Sequence, residues 1–286
     1  MFQHMILKKK ILCVLAGIFL VLIVWTAWGN TALELNTYTI CNGSLPDVFD
    51  GYRIAQVSDL HNAEFGDGNQ LLLEMLWETE PDMIAITGDL IDSRKTNLAV
   101  ALDFANEAVQ IAPCYYVSGN HEARVPEYQE LKVGLEAAGV TVLDDAQVKF
   151  EVSGESITVI GVNDPAFHAD YLMGDTEVIN QKLAELAAED SGFTILLSHR
   201  PELFETYVDH DMNLVLTGHA HGGQFRLPLI GGLIAPNQGL FPKYDAGVYS
   251  EENTNMIVSR GLGNSIIPFR FNNRPEVVLV ELTSQS

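Results

Sequence analysis

Five times along 286 residues, a short apolar run ends on a small residue and is followed at once by Asp, Asn or His. The runs are Ile54-Ala55-Gln56-Val57-Ser58-Asp59-Leu60-His61, Met83-Ile84-Ala85-Ile86-Thr87-Gly88-Asp89, Tyr115-Tyr116-Val117-Ser118-Gly119-Asn120-His121, Ile195-Leu196-Leu197-Ser198-His199 and Leu214-Val215-Leu216-Thr217-Gly218-His219-Ala220-His221. Each reads as a strand running into a turn. A lone His-x-His pair more often binds nothing than binds metal, but five blocks of one form restrict the chain to a fold that gathers strand ends. In open α/β sheets, ligands sit beyond the carboxyl ends of the strands. Seven residues would meet there: Asp59, His61, Asp89, Asn120, His199, His219 and His221. Three oxygen donors and four imidazoles suit two borderline divalent cations and suit calcium poorly, because calcium prefers oxygen throughout. A carboxylate can bridge two ions and hold them roughly 3.5–4 Å apart, the separation used in two-metal hydrolysis.

The segments between the blocks fill in an α/β architecture. Residues 69–80 place Leu72, Met75, Leu76 and Thr79 on one helical face before Pro81. Leu98, Leu102, Ala105 and Val109 recur at helical spacing, and a helix over 127–138 ends at Gly139. This alternation predicts parallel βαβ units with right-handed crossovers. From Val140 the texture changes to short strands at 140–143, 148–152 and 157–162. A helix over 176–190 and strands at 256–259 and 276–282 follow. Residues 32–50 read as a strand and connector, and the strand at 52–57 opens the catalytic body. The expectation is two sheets packed face to face and flanked by helices, in one domain.

Charge limits the partners. The formal net charge is −22, and Lys8, Lys9 and Lys10 are three of only 16 basic residues, so the rest is more acidic still. Such a surface repels nucleic acid and anionic membrane over much of its area. A phosphate substrate remains open to it wherever bound cations reverse the field. Residues 11–28 are uncharged and apolar, with Trp25 and Trp28 near the far end, just long enough to span a bilayer. The lysine triplet precedes them and the next basic residue is Arg53, so residues 1–10 should stay in the cytoplasm while the body crosses. The expected organisation is a single-pass signal anchor at 11–28, a connector at 29–51 and an extracytoplasmic domain at 52–286. A cleaved signal peptide is the competing reading, although Asn30-Thr31-Ala32 makes a poor cleavage site. Cys41 and Cys114 could pair or remain two thiols; no spacing signature decides.

Asp59-x-His61, Gly88-Asp89-x-x-Asp92, Gly119-Asn120-His121-Glu122, His199 and Gly218-His219-x-His221 resemble, in order, the five blocks of the calcineurin-like metallophosphoesterases. The resemblance runs from about Tyr52 to the C-terminus. It implies a four-layer α/β/β/α sandwich of two mixed sheets, here behind an N-terminal transmembrane helix. The anchor, together with Gly222-Gly223-Gln224, Phe241-Pro242-Lys243-Tyr244 and Arg260-Gly261-Leu262-Gly263-Asn264-Ser265, is similar to the bacterial membrane-associated YkuE/YaeI-type branch. The resemblance assigns Asp59, His61 and His221 to one metal, Asn120, His199 and His219 to a second, and Asp89 to both. His121 would then face the substrate, protonating the leaving oxygen or stabilising phosphoryl charge, with Asp92 orienting its ring. Manganese, iron and zinc all tolerate these mixed donors.

The reaction these roles imply is attack on phosphorus by metal-activated hydroxide. The expected substrates are phosphodiester or pyrophosphate bonds of envelope lipids or polymers, with the chain held at the membrane and away from nucleic acid. A phosphomonoesterase on small phosphates, or a non-catalytic module with a structural metal site, are the alternatives. His121 and Asp92 argue against the latter, since neither is needed merely to hold metal. Where the protein-phosphatase branch has Arg after the second Asp of Gly-Asp-x-x-Asp, this chain has Ser93; Arg94, one residue later, could reach a phosphate but reads first as a solvated loop residue. His168 and His210 read as turn residues away from metal. Asn163-Asp164-Pro165 could line the site or form only a turn. Residues 225–236, apolar and glycine-rich, read as a packed loop or as a contact with lipid.

Overall fold

The computed structural model describes residues 2–168, 173–186, 192–264 and 267–284. The apolar blocks are strands, and both faces of the sheets they form are covered, which is why their sequences run nearly unbroken in Val, Ile and Leu. The first sheet contains β1 (Glu34–Cys41), β2 (Arg53–Val57), β3 (Met83–Thr87), β4 (Cys114–Val117), β5 (Thr141–Val142) and β16 (Glu276–Thr283). Its order is β1-β16-β2-β3-β4-β5, parallel except where β16 meets β2. The second contains β6 (Ala146–Val152), β7 (Glu155–Gly161), β8 (Phe193–Leu197), β9 (Leu214–Thr217), β14 (Gly247–Glu251) and β15 (Thr254–Val258). Its order is β14-β15-β9-β8-β7-β6, antiparallel only in the two outer pairs. Between β9 and β14 lie two small hairpins, β10 (Arg226–Leu227) with β11 (Gly231–Gly232) and β12 (Ile234–Ala235) with β13 (Gly239–Leu240).

Alternate residues of each strand enter different cores. Ile84 and Ile86 pack with Leu72, Leu76, Phe104, Leu131 and Leu135 from α2 (Gln70–Glu78), α3 (Leu98–Ala108) and α4 (Tyr128–Ala138). Met83 and Ala85 point the other way, to Ile195, Leu197, Leu214 and Leu216 of the facing sheet. Leu196 and Val215 then meet Ile179 and Leu183 of α5 (Asp175–Leu186) and Phe204 and Tyr207 of α6 (Phe204–Asp209). Helix, sheet, sheet and helix therefore follow one another in layers. A buried amide pins the two sheets: Gln56 donates to Thr87 Oγ1 at 3.0 Å and to the Thr217 carbonyl at 2.9 Å. Helix α4 stops where Gly139 takes φ +100°, and the Val140 N–H closes the end on the Leu135 carbonyl.

Some elements differ from expectation. The strand foreseen within the connector pairs residue for residue with β16 from Glu34↔Glu276 to Cys41↔Thr283, so it belongs to the first sheet. Helix α6 and strand β14 carry no periodic signal strong enough to announce them. Positions 187–190 of the expected helix and Ser265 lie outside the described residues. Cys41 is exposed, Cys114 is buried, and both are free thiols.

Helix α1 (Phe2–Gly29) contains, at Lys8–Gly29, a segment long and apolar enough to cross a membrane by length and composition. Its end is fastened to the body. The Asn30 side chain donates to the Arg270 carbonyl at 2.9 Å and accepts the Arg270 N–H at 2.7 Å. The Arg274 guanidinium lies 4.9 Å from the Trp28 ring centre and donates to the carbonyls of Ala32 and Leu33.

Candidate metal centre

The strand ends bring all seven candidate ligands together, each buried. Five of them, Asp59, His61, Asp89, His219 and His221, hold left-handed backbone with φ between 47° and 64°. Non-glycine residues pay for that conformation, and its concentration at one place is the mark of a functional constraint. The preceding glycines make the approach possible. A Cβ at Gly218 would lie 1.9 Å from Ser58 Oγ, and one at Gly119 would lie 2.3 Å from Asp89 Oδ1.

One carboxylate stands between two donor groups. Asp59, His61 and His221 form the first group and Asp89, His199 and His219 the second, with donor atoms within 4.8 Å of one another in each. Asp89 Oδ2 stands 3.6 Å from His61 Nε2 and 3.3 Å from His199 Nε2, between the two groups. Imidazole nitrogens face each other in pairs, His61 Nε2 with His221 Nε2 at 3.3 Å and His199 Nε2 with His219 Nδ1 at 3.2 Å. Asn120 adds a buried side-chain oxygen that no donor satisfies among the described residues. A buried oxygen without a donor and nitrogens converging on common points form a set that two divalent cations would complete. His61, Asp89 and His121 form a third, overlapping group.

The electrostatics show what the carboxylates seek. Burial pushes Asp59 and Asp89 up, but the surrounding imidazoles outweigh it and both end below the usual carboxylate range. Burial likewise depresses His199, yet Asp89 and Asp59 raise it to about 10. Two buried carboxylates thus draw positive charge to this point, where metal and proton would compete for the same nitrogen. Burial drives His221 and His219 down, His221 to about 3, and the neighbouring cationic groups act in the same direction.

Residues behind the ligands fix their orientation. The Thr87 carbonyl lies 2.8 Å from His199 Nδ1, which leaves Nε2 facing Asp89. Glu122, fully buried, accepts the N–H groups of Asp89 at 2.9 Å, Gly119 at 2.7 Å and Ile91 at 3.2 Å, tying the loops after β3 and β4. Burial, with Asp89 nearby, pushes its carboxyl up to about 7. Asp164 grips Arg200 through both oxygens, at 2.5 and 2.8 Å, and Arg200 Nη1 reaches to 3.4 Å from His219 Nε2. On the other flank Arg270, also buried, stands 3.5 Å from His221 Nδ1. Sequence reasoning assigned no role to Glu122, Arg200 or Arg270. Position was the only signal: Glu122 closes the block Gly119-Asn120-His121-Glu122, and Arg200 follows His199. The turn at Asn163-Asp164-Pro165 does reach the site wall, through Arg200.

Around His121 the arrangement is particular. Ser93 N–H donates to its Nδ1 at 3.0 Å, and Ser93 Oγ is 3.2 Å from the same nitrogen. Asp92 Oδ1 stands farther away, at 3.6 Å, and its carboxylate receives Nε and Nη2 of Arg94 at 2.9 and 2.5 Å. His210 is bonded to Asn180 at 2.8 Å; neither it nor the exposed His168 joins a donor group among the described residues.

The comparisons with known proteins agree with this geometry. Residues 52–223 match the calcineurin-like phosphoesterase family model. The metallophosphoesterase YkuE of Bacillus subtilis is 31% identical over 88% of this chain and 86% of its own length. The phosphodiesterase YaeI of Escherichia coli is 28% identical, covering 81% of this chain and 82% of its own. Among solved structures, TT1561 of Thermus thermophilus superposes with a TM-score of 0.52 at 16% identity, over 74% of this chain and 90% of that one, and shares the fold. By these matches, and by the five blocks meeting at one buried centre, the chain belongs to the calcineurin-like phosphoesterases.

Proposed function

We propose that this protein is a membrane-anchored phosphoesterase with its catalytic domain outside the cytoplasm, hydrolysing phosphodiester or pyrophosphate bonds of envelope lipids or polymers. The observation that carries the reading is Asp89, one carboxylate facing two buried donor groups. Asp59, His61 and His221 would hold one divalent cation, Asn120, His199 and His219 the other, and Asp89 both; manganese, iron or zinc suits these donors. When bound, such a pair neutralises the phosphate anion and supplies a water nucleophile active near neutral pH.

The chain's own groups then set geometry and charge. Because Ser93 N–H donates to Nδ1, neutral His121 carries its proton on Nε2 and can donate to a phosphoryl or leaving oxygen. Glu122 holds the Asp89 and Gly119 loops at fixed separation. Arg94, one residue past the position where phosphoprotein phosphatases carry arginine, is engaged by Asp92, which favours a diester over a dianionic monoester. The likeness to a phosphodiesterase supports the same preference. The lysines before an apolar segment ending in tryptophans support the anchor and its direction.

Hydrolysis of bis-p-nitrophenyl phosphate should exceed that of p-nitrophenyl phosphate with added Mn²⁺, and chelator should abolish both. A preference for the monoester would make the protein a monoesterase. No turnover of either would leave a metal-bearing binding module.

A further inference from the structure

The hairpins that follow the His219–His221 turn carry a cluster of exposed apolar side chains, among them Leu229, the most exposed of the described body. Leu227, Leu229, Ile230, Ile234, Leu240 and Phe241 are all exposed there, and Leu229 is wholly so. Two of them are doubly costly. Leu229 at φ +69° and Phe241 at φ +56° occupy left-handed backbone, where glycine or asparagine belongs. An apolar side chain in strained backbone, turned toward water, is explained by neither folding nor solubility, and such strain gathers at functional surfaces.

Two observations identify what covers this surface. First, in a chain with 38 acidic residues, positions 212–244 contain none, so this is a stretch of the body that anionic lipid would not repel. Second, the hairpins are stitched to the end of α1. Gln224 donates to the carbonyls of Ile267 and Phe269 at 3.1 and 2.7 Å, and Phe225 meets exposed Phe269 edge to face at 5.4 Å. The next residue, Arg270, is the one whose backbone N–H and carbonyl bond the Asn30 side chain, two positions beyond Trp28. Tryptophans of that kind mark the level of lipid headgroups at the end of a spanning helix.

We propose that residues 225–241, with Phe269, rest in the headgroup–acyl boundary of the same bilayer that holds α1, so that a phosphodiester headgroup reaches the metal centre from the membrane plane. The proposal rests on the anchor reading of α1. Side chains such as Leu229 and Phe241 need enter only about 5–10 Å, the depth typical of interfacial segments.

The test uses the full-length chain in vesicles of phosphatidylethanolamine and phosphatidylglycerol. With Cys13→Ser and Cys41→Ser as background, a polarity-sensitive fluorophore is attached through Leu229→Cys, Phe241→Cys or, as a control at the exposed start of β7, Glu155→Cys. Nitroxide-bearing lipids should quench the labels at 229 and 241 several-fold more than the label at 155, and iodide should do the reverse. Iodide quenching at all three sites would overturn the proposal. Quenching by neither agent at 229 and 241 would also overturn it, in favour of a protein covering the patch, such as a second copy. Alkaline carbonate that releases the unlabelled chain would instead defeat the anchor reading, separately from either result. In activity, Leu229→Asp with Ile230→Asp and Phe241→Asp should lower cleavage of a vesicle-embedded phosphodiester lipid by about tenfold or more. Turnover of bis-p-nitrophenyl phosphate should persist. An equal loss on both substrates would count against the membrane role.

Discussion

One backbone bond determines what His121 can do. With Ser93 N–H directed at Nδ1, a second proton on that nitrogen would meet a donor, so the ring stays neutral. Burial acts in the same direction and depresses it to about 4. Between about pH 4 and 6.5 the unfolded chain binds a proton that the folded ring refuses. This contribution to stability is therefore complete above that window and lost as pH falls through it. Ring ¹⁵N spectra should show the Nε2–H tautomer from pH 5 to 8, and a titration near 6.5 would refute the argument. His121→Ala should leave metal content near normal and lower turnover by about 10²-fold or more; stripping of metal would instead make it a ligand, as its overlapping group with His61 and Asp89 allows. Glu122 supports a different expectation. Glu122→Gln would set an amide donor against backbone N–H groups and cost about 1–3 kcal/mol, read by urea unfolding. No local pattern announces either partnership, because Glu122 meets Asp89 33 positions away and His121 meets Ser93 28 positions away.

The elements were legible where the sequence repeats itself. Strands β2, β3, β4, β8 and β9 were marked by their apolar runs, and α2, α3 and α4 by helical spacing with Pro81 or Gly139 at the end. Pairing was less legible than existence. β1 shows alternation suited to one covered face, but nothing in residues 34–41 names a partner more than two hundred positions later. Its placement has a consequence for truncation. A chain beginning at Thr31 should fold as the full protein does, whereas one beginning at Tyr52 removes β1, makes β16 an edge strand and leaves Val278, Val280 and Leu282 less covered. Size-exclusion chromatography and thermal melts of the two would decide, and equal stability would show β1 to be dispensable. Short hairpins such as β10–β11 escape sequence reading because their geometry depends on what they pack against.

For the molecule as a whole, cations and folding should be linked. Ions that bind only the assembled centre stabilise it by mass action, about 2.7 kcal/mol at a hundred times Kd. Melting with Mn²⁺ and with chelator should therefore differ by several degrees, and coincident melts would mean that no such ions bind. Asp59, His61, Asp89 and Asn120 all precede the turn between β5 and β6, while His199, His219 and His221 all follow it. Both proposed cation positions consequently draw donors from each side of that turn. Severed there, the chain would become two polypeptides still held by β16 and by the apolar layer between the sheets, with each dissolved ion adding a tie across the cut that a chelator would remove.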